Sequence, residues 1–82
     1  MTIKMVNIAF SPASTSVKVG QTVKWTNQDS VEHNVVATAG ATFKSPNFGA
    51  GGSYSHKFTK AGKVSYVCTI HPNMKATLTV TK

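Results

Sequence analysis

Inward-facing side chains recur at every second position in a series of short runs. Ile8 and Phe10 form one such run, followed by Val17 and Val19, then Val23 and Trp25. Tyr54, His56 and Phe58 continue the pattern, with Val64, Tyr66 and Cys68 and finally Ala76, Leu78 and Val80. Successive side chains of a strand point to opposite faces, so period two predicts half-buried, antiparallel strands. Breakers separate the runs: Ser11-Pro12, Gly20, Asn27-Gln28-Asp29, Gly40, Ser45-Pro46, Gly49 to Gly52, Gly62 and Pro72. No window carries a helical stripe. Many short strands with closely spaced turns predict an all-β chain, a two-sheet sandwich or a small barrel.

The 82 residues provide one core, so the whole span 1–82 is expected to be a single domain. A chain of this size buries only roughly 60–65 % of its unfolded surface, and a metal bound to the folded state would add stability. With one cysteine there is no intramolecular disulfide, leaving Cys68 as buried filler, nucleophile or metal ligand. Nine lysines and no arginine face only Asp29 and Glu32, for a net charge of +7. Such a field attracts acidic partners. The lysines are scattered, and without arginine there is no bidentate readout of phosphates or base edges, which argues against nucleic acid. No stretch approaches the roughly 18 apolar residues of a membrane span. Met1 to Phe10 lacks the apolar run of a signal peptide, which fits a cytosolic chain or one whose signal has been removed.

Chemistry concentrates in Cys68-Thr69-Ile70-His71-Pro72-Asn73-Met74, with His33 far upstream. Cys68 lies in phase with Val64 and Tyr66 and so faces inward at the end of a strand. Residues three apart on a continuing strand point to opposite faces, so Cys68, His71 and Met74 converge only if the chain curls. Pro72 favours that departure, since it has no N–H for a ladder and biases His71 away from the helical region. Two imidazoles, a thiolate and a thioether are the soft, mixed ligand set of blue-copper sites, with a weak axial Met. A zinc site would need Asp29 or Glu32 in place of Met74. A thiolate–imidazolium pair of Cys68 with His33 or His71 is the enzymatic alternative, although the inward thiol would be hidden from substrate. His56, between two aromatics of its run, is expected to be a rim histidine satisfied by hydrogen bonding rather than a second metal site.

The pattern Ile8-x-Phe10-x-Pro12, Val17-x-Val19-Gly20-x-x-Val23-x-Trp25-x-Asn27, His33-Asn34-Val35 and Tyr66-x-Cys68-x-x-His71-Pro72-x-Met74 resembles the cupredoxins. It is most similar to their plastocyanin/amicyanin group, over essentially the whole chain. The resemblance implies a two-sheet Greek-key β-sandwich of about 7–8 strands. It also implies one copper per chain, with His33, Cys68 and His71 as equatorial ligands and Met74 axial. Asn34 and Thr69 would tie the two ligand loops together, and Ile70, Pro72 and Phe48 would supply an apolar patch around His71. The chain is shorter than typical members, mostly within Ala37–Gly52. His56 stands where relatives place an aliphatic residue.

Four protein ligands leave no open position for substrate. The expected function is therefore one-electron transfer between Cu(II) and Cu(I), not catalysis. Redox proteins with acidic surfaces are the expected partners, the chain itself being monomeric and, like its exported relatives, periplasmic or extracellular. A copper storage or delivery protein and a metal-free binding module are the competing readings.

Overall fold

The computed structural model describes all residues from Met1 to Lys82 and contains eight strands and no helix. They are β1 (Thr2–Met5), β2 (Phe10–Ser11), β3 (Ser14–Lys18), β4 (Thr22–Asn27), β5 (Val36–Ala39), β6 (Ser53–Lys57), β7 (Gly62–Val67) and β8 (Lys75–Thr81). Two four-stranded sheets result, in the orders β2-β1-β4-β6 and β3-β8-β7-β5. The all-β sandwich expected from period two is therefore present. With no helix at all, nothing helical is long and apolar enough to cross a membrane.

Strand direction departs from expectation. β1 runs parallel to β4, pairing Ile3 with Trp25, and β3 runs parallel to β8, pairing Val17 with Val80. The sheets are mixed rather than antiparallel, because alternation encodes the buried face and is silent on direction. Two alternating pairs also divide differently. Val17 is buried but Val19 is exposed just past the end of β3, and Phe10 is buried but Ile8 is half exposed in a turn. The inward residues of the first strand are Ile3 and Met5.

That turn joins β1 to β2. Val6 N–H donates to Ala9 O at 2.9 Å and Ala9 N–H to Val6 O at 3.1 Å. Both central residues, Asn7 and Ile8, have φ of 55°. This is the type I′ hairpin geometry, for which Asn-Gly is the preferred pair.

Between β5 and β6 the chain forms no named strand, yet it is stitched to the residues before and within β5. His33 and Phe48 exchange both backbone hydrogen bonds, at 3.1 and 2.9 Å. Ser45 N–H donates to Val35 O, and Ala37 N–H to Phe43 O. Gly40 is required in this passage, because its φ is positive and a Cβ there would run into the Lys63 carbonyl oxygen. The short segment thus fixes His33 at its own backbone and brings Phe43 into the core.

The inward faces of both sheets meet in one cluster of 16 buried residues. Trp25 is its hub. Its ring lies 5.4 Å from Tyr66, 5.5 Å from Phe43, 6.0 Å from Tyr54 and 6.4 Å from Phe58. The Trp25 Nε1 and the Tyr66 hydroxyl are buried with no partner in good hydrogen-bond geometry. Burial pushes the Tyr66 phenol up from its ordinary value, and the neighbouring Trp25 N–H offsets this only in part. His56 takes the inward phase opposite Val23, half-buried at the rim. Contrary to expectation its ring is held by stacking and not by hydrogen bonds, 4.7 Å from Phe43 and 4.8 Å from Phe58. Burial pushes its pKa down.

Candidate metal centre

One end of the sandwich gathers the donors that the sequence singles out. β7 delivers Cys68, fully buried one residue beyond its last paired position. The chain then curls. Met74 N–H donates to His71 O at 2.8 Å, and Cys68 N–H donates to Met74 O at 3.0 Å before β8 begins. The backbone thus closes on itself between Cys68 and Met74, and the loop carries three of the four candidate donors.

His33 arrives from the other sheet's connection and is fully buried, while the His71 ring is half-buried. The Nδ1 atoms of His33 and His71 lie 3.7 and 3.8 Å from Cys68 Sγ, and the three donor atoms are mutually within 4.8 Å. A first-row ion at about 2.0–2.1 Å from nitrogen and about 2.3 Å from sulfur, with bonds about 120° apart, requires N···S separations of about 3.8 Å. Both N···S separations therefore match those of a trigonal N₂S site. Met74 is also buried, its backbone bonded to both His71 and Cys68. A thioether in place of a carboxylate suits copper better than zinc. Asp29 and Glu32 do not join the cluster as ligands.

Hydrogen bonds lock the two loops together. Asn34 Nδ2 donates to Thr69 Oγ1 at 2.7 Å and to Asn47 Oδ1 at 3.1 Å, and Thr69 N–H donates to Asn34 Oδ1 at 2.8 Å. The Asn34 N–H donates to Cys68 Sγ at 3.5 Å, so a backbone dipole faces the sulfur. Replacing Asn34 with Ala leaves the Thr69 amide unpaired. It is expected to destabilise the metal-free fold by about 1–3 kcal/mol and to weaken copper binding by about 10–100-fold. Denaturant unfolding and competition with a chelator measure the two effects.

Two residues organise the His33 side in roles the sequence reading does not assign them: Asn27 reads there as part of a turn, and Asp29 as a turn residue and alternative zinc ligand. The buried Asn27 donates from Nδ2 to Val31 O and Phe48 O, both at 2.9 Å, and accepts the Asp29 N–H at 2.8 Å. Asp29 Oδ2 then accepts a hydrogen bond from His33 Nε2 at 2.8 Å, with the ring proton assigned to that nitrogen. Partial burial pushes the Asp29 carboxyl up. Hydrogen bonds from the His33 ring and from the Ile8 and Asn7 amides outweigh this and hold it below its ordinary value. The spacing Asp-x-x-x-His was the available signal. A donor on Nε2 leaves the Nδ1 lone pair facing Cys68.

At the surface, Ile70 is 40 % exposed and Pro72 is exposed, as expected beside His71. Phe48 is instead partly buried and packed on the core. Ile8 and Val31 are further large apolar side chains left exposed.

Comparison with known proteins agrees with this geometry. The sequence profile of copper-binding proteins of the plastocyanin/azurin family matches residues 1–81. Amicyanin of Paracoccus denitrificans is 43% identical over 78% of this chain, which spans only about half (52%) of that protein's length. Plastocyanin of Scenedesmus fuscus is 38% identical over 89% of this chain and 87% of its own. Among solved structures, a Cu(I) amicyanin variant superposes with a TM-score of 0.91 at 33% identity, covering 98% of this chain and 80% of that one. A copper-containing nitrite reductase from Thermus scotoductus gives 0.93 at 32% identity, covering all of this chain and 22% of the reductase. With its mixed sandwich, its gathered N₂S donors and this match over nearly its whole length, the chain belongs to the plastocyanin/azurin family of copper-binding proteins.

Proposed function

We propose that residues 1–82 form a single blue copper domain that carries one electron at a time between redox partners. His33, Cys68 and His71 are its equatorial ligands and Met74 is the axial one. The observation that supports this most is the placement of two imidazole nitrogens at metal-site distance from the Cys68 sulfur, on two loops already tied by Asn34 and Thr69. Copper bound there would supply a Cu(II)/Cu(I) couple tuned by the thiolate and the thioether.

The residues divide the work. Cys68, His33 and Met74 are buried, which keeps the donors rigid and water away. His71 alone brings a ring toward the surface, and exposed Ile70 and Pro72 beside it give a partner an apolar place to dock. This burial argues against a delivery protein, which needs an easily released metal. It equally leaves no open position for a substrate, so no catalytic role is assigned. The lysines set the choice of partner. With a net charge of +7, association with an acidic redox protein is electrostatically steered. We place the domain in the periplasm or an extracellular space as a monomer, without affinity for nucleic acid.

Stopped-flow mixing of the copper-loaded protein with an anionic redox protein tests the reading. One electron per chain should pass with copper retained, and the association rate should fall as ionic strength rises. Copper loss on reduction would contradict the carrier role. A rate that stays flat or rises with salt would overturn the acidic partner.

A further inference from the structure

Asp29 is tied in a way that a structural cap alone does not explain. The chain holds nine lysines and two carboxylates, yet the only ion-pair geometry Asp29 makes is with the His33 ring. Its side chain is 15% exposed, against a ring that is fully buried. Oδ1 accepts the Asn7 amide at 2.8 Å, and Oδ2 accepts both the Ile8 amide at 2.9 Å and His33 Nε2 at 2.8 Å.

The Asn7–Ile8 turn explains how the carboxylate is held. Positive φ suits Asn, but for a β-branched residue such as Ile8 it is a genuine outlier. Residues kept in such regions persist when their surroundings over-determine them, and they cluster at functional sites. Here the left-handed pair aims two consecutive amides at one carboxylate. That carboxylate in turn grips the side of His33 opposite Cys68.

We infer that Asp29 is a positioning residue of the copper centre. Its carboxylate fixes the His33 ring with Nδ1 toward Cys68 and places a negative charge against that ring, which lowers the reduction potential. The strained Asn7–Ile8 turn is the device that holds the charge in place. A carboxylate on the far nitrogen of a ligating imidazole orients the ring and raises its basicity. Negative charge in a partly buried setting is weakly screened and favours the more highly charged oxidised ion. This rests on the blue-copper reading proposed above.

Two measurements test it. In the metal-free protein, long-range ¹H–¹⁵N spectra should show His33 as the Nε2–H tautomer with slow proton exchange. A His33 ring protonated on Nδ1, or one exchanging freely, would overturn the clamp in the unaltered chain. In the copper-loaded protein, Asp29→Asn should keep the blue band but favour Cu(I) by about tenfold at fixed ambient potential, equivalent to about 59 mV for one electron. Glu32→Gln removes the same charge from an exposed side chain and should shift the equilibrium far less. Ile8→Gly should raise the thermal midpoint and leave the potential alone, since it relieves strain and keeps the amide. An unchanged potential in Asp29→Asn, or equal shifts in Asp29→Asn and Glu32→Gln, would overturn the inference. Absence of a blue band in the unaltered protein would instead refute the copper reading itself.

Discussion

Cys68→Ala will abolish the intense blue absorption of the copper-loaded protein and with it fast electron transfer. The band is expected from charge transfer between a thiolate and Cu(II), and Cys68 is the chain's only thiol, so no other residue can substitute. Cys68→Ser should fail as well, because a hydroxyl oxygen is neither soft nor readily deprotonated. The fold should survive both changes. Cys68 is small and buried among apolar neighbours, and losing its sulfur is expected to cost about 1 kcal/mol, the usual effect of a point substitution. Circular dichroism of the metal-free variants separates loss of the centre from loss of the sandwich. A blue band retained by Cys68→Ala would mean that the donor set is wrong.

Trp25→Ala should have the largest effect on stability. Four aromatic rings pack around Trp25 at centroid distances from 5.4 to 6.4 Å, so the cavity has few ways to collapse. A buried Trp→Ala change costs about 3–5 kcal/mol. For a domain of this size that lowers the thermal midpoint by roughly 12–40 °C. Much of the roughly 5–15 kcal/mol available to a native domain would be spent. The metal-free variant should therefore be largely unfolded when warmed, and copper should rescue it in part by binding only the folded state. Differential scanning calorimetry with and without copper measures both. Trp25→Phe should be far milder, since it keeps an aromatic ring in the cluster and removes far less volume.

The donor types in the chain already pointed to the centre. A lone inward cysteine followed by His71-Pro72-x-Met74 leaves few chemistries open, and the turn that Pro72 signals is the curl that brings Cys68, His71 and Met74 together. The sandwich was legible for the same kind of reason, since alternation in Val23–Trp25, Val64–Cys68 and Ala76–Val80 reports a buried face directly. What escaped was information held between distant segments. Nothing local distinguishes the parallel neighbours of β1 and β3 from antiparallel ones. The turn at Asn7–Ile8 carries no Gly or Pro, because the Asp29 carboxylate 21 and 22 residues away supports it. Asn27 looked like an ordinary turn former, and Asp29 like a turn former or a direct metal ligand, for the same reason. Their roles lie in which amides and rings they face, and that becomes visible only once the loops are closed.

Copper(II) titration of the metal-free protein, followed by visible absorption and then by voltammetry, tests the central claim most directly. Saturation at one equivalent per chain, an intense blue band and a reversible one-electron couple are the predicted results. Binding without the blue band, saturation at any other stoichiometry, or a reduction wave that does not reverse would contradict the assignment of His33, Cys68, His71 and Met74 as an electron-carrying copper centre.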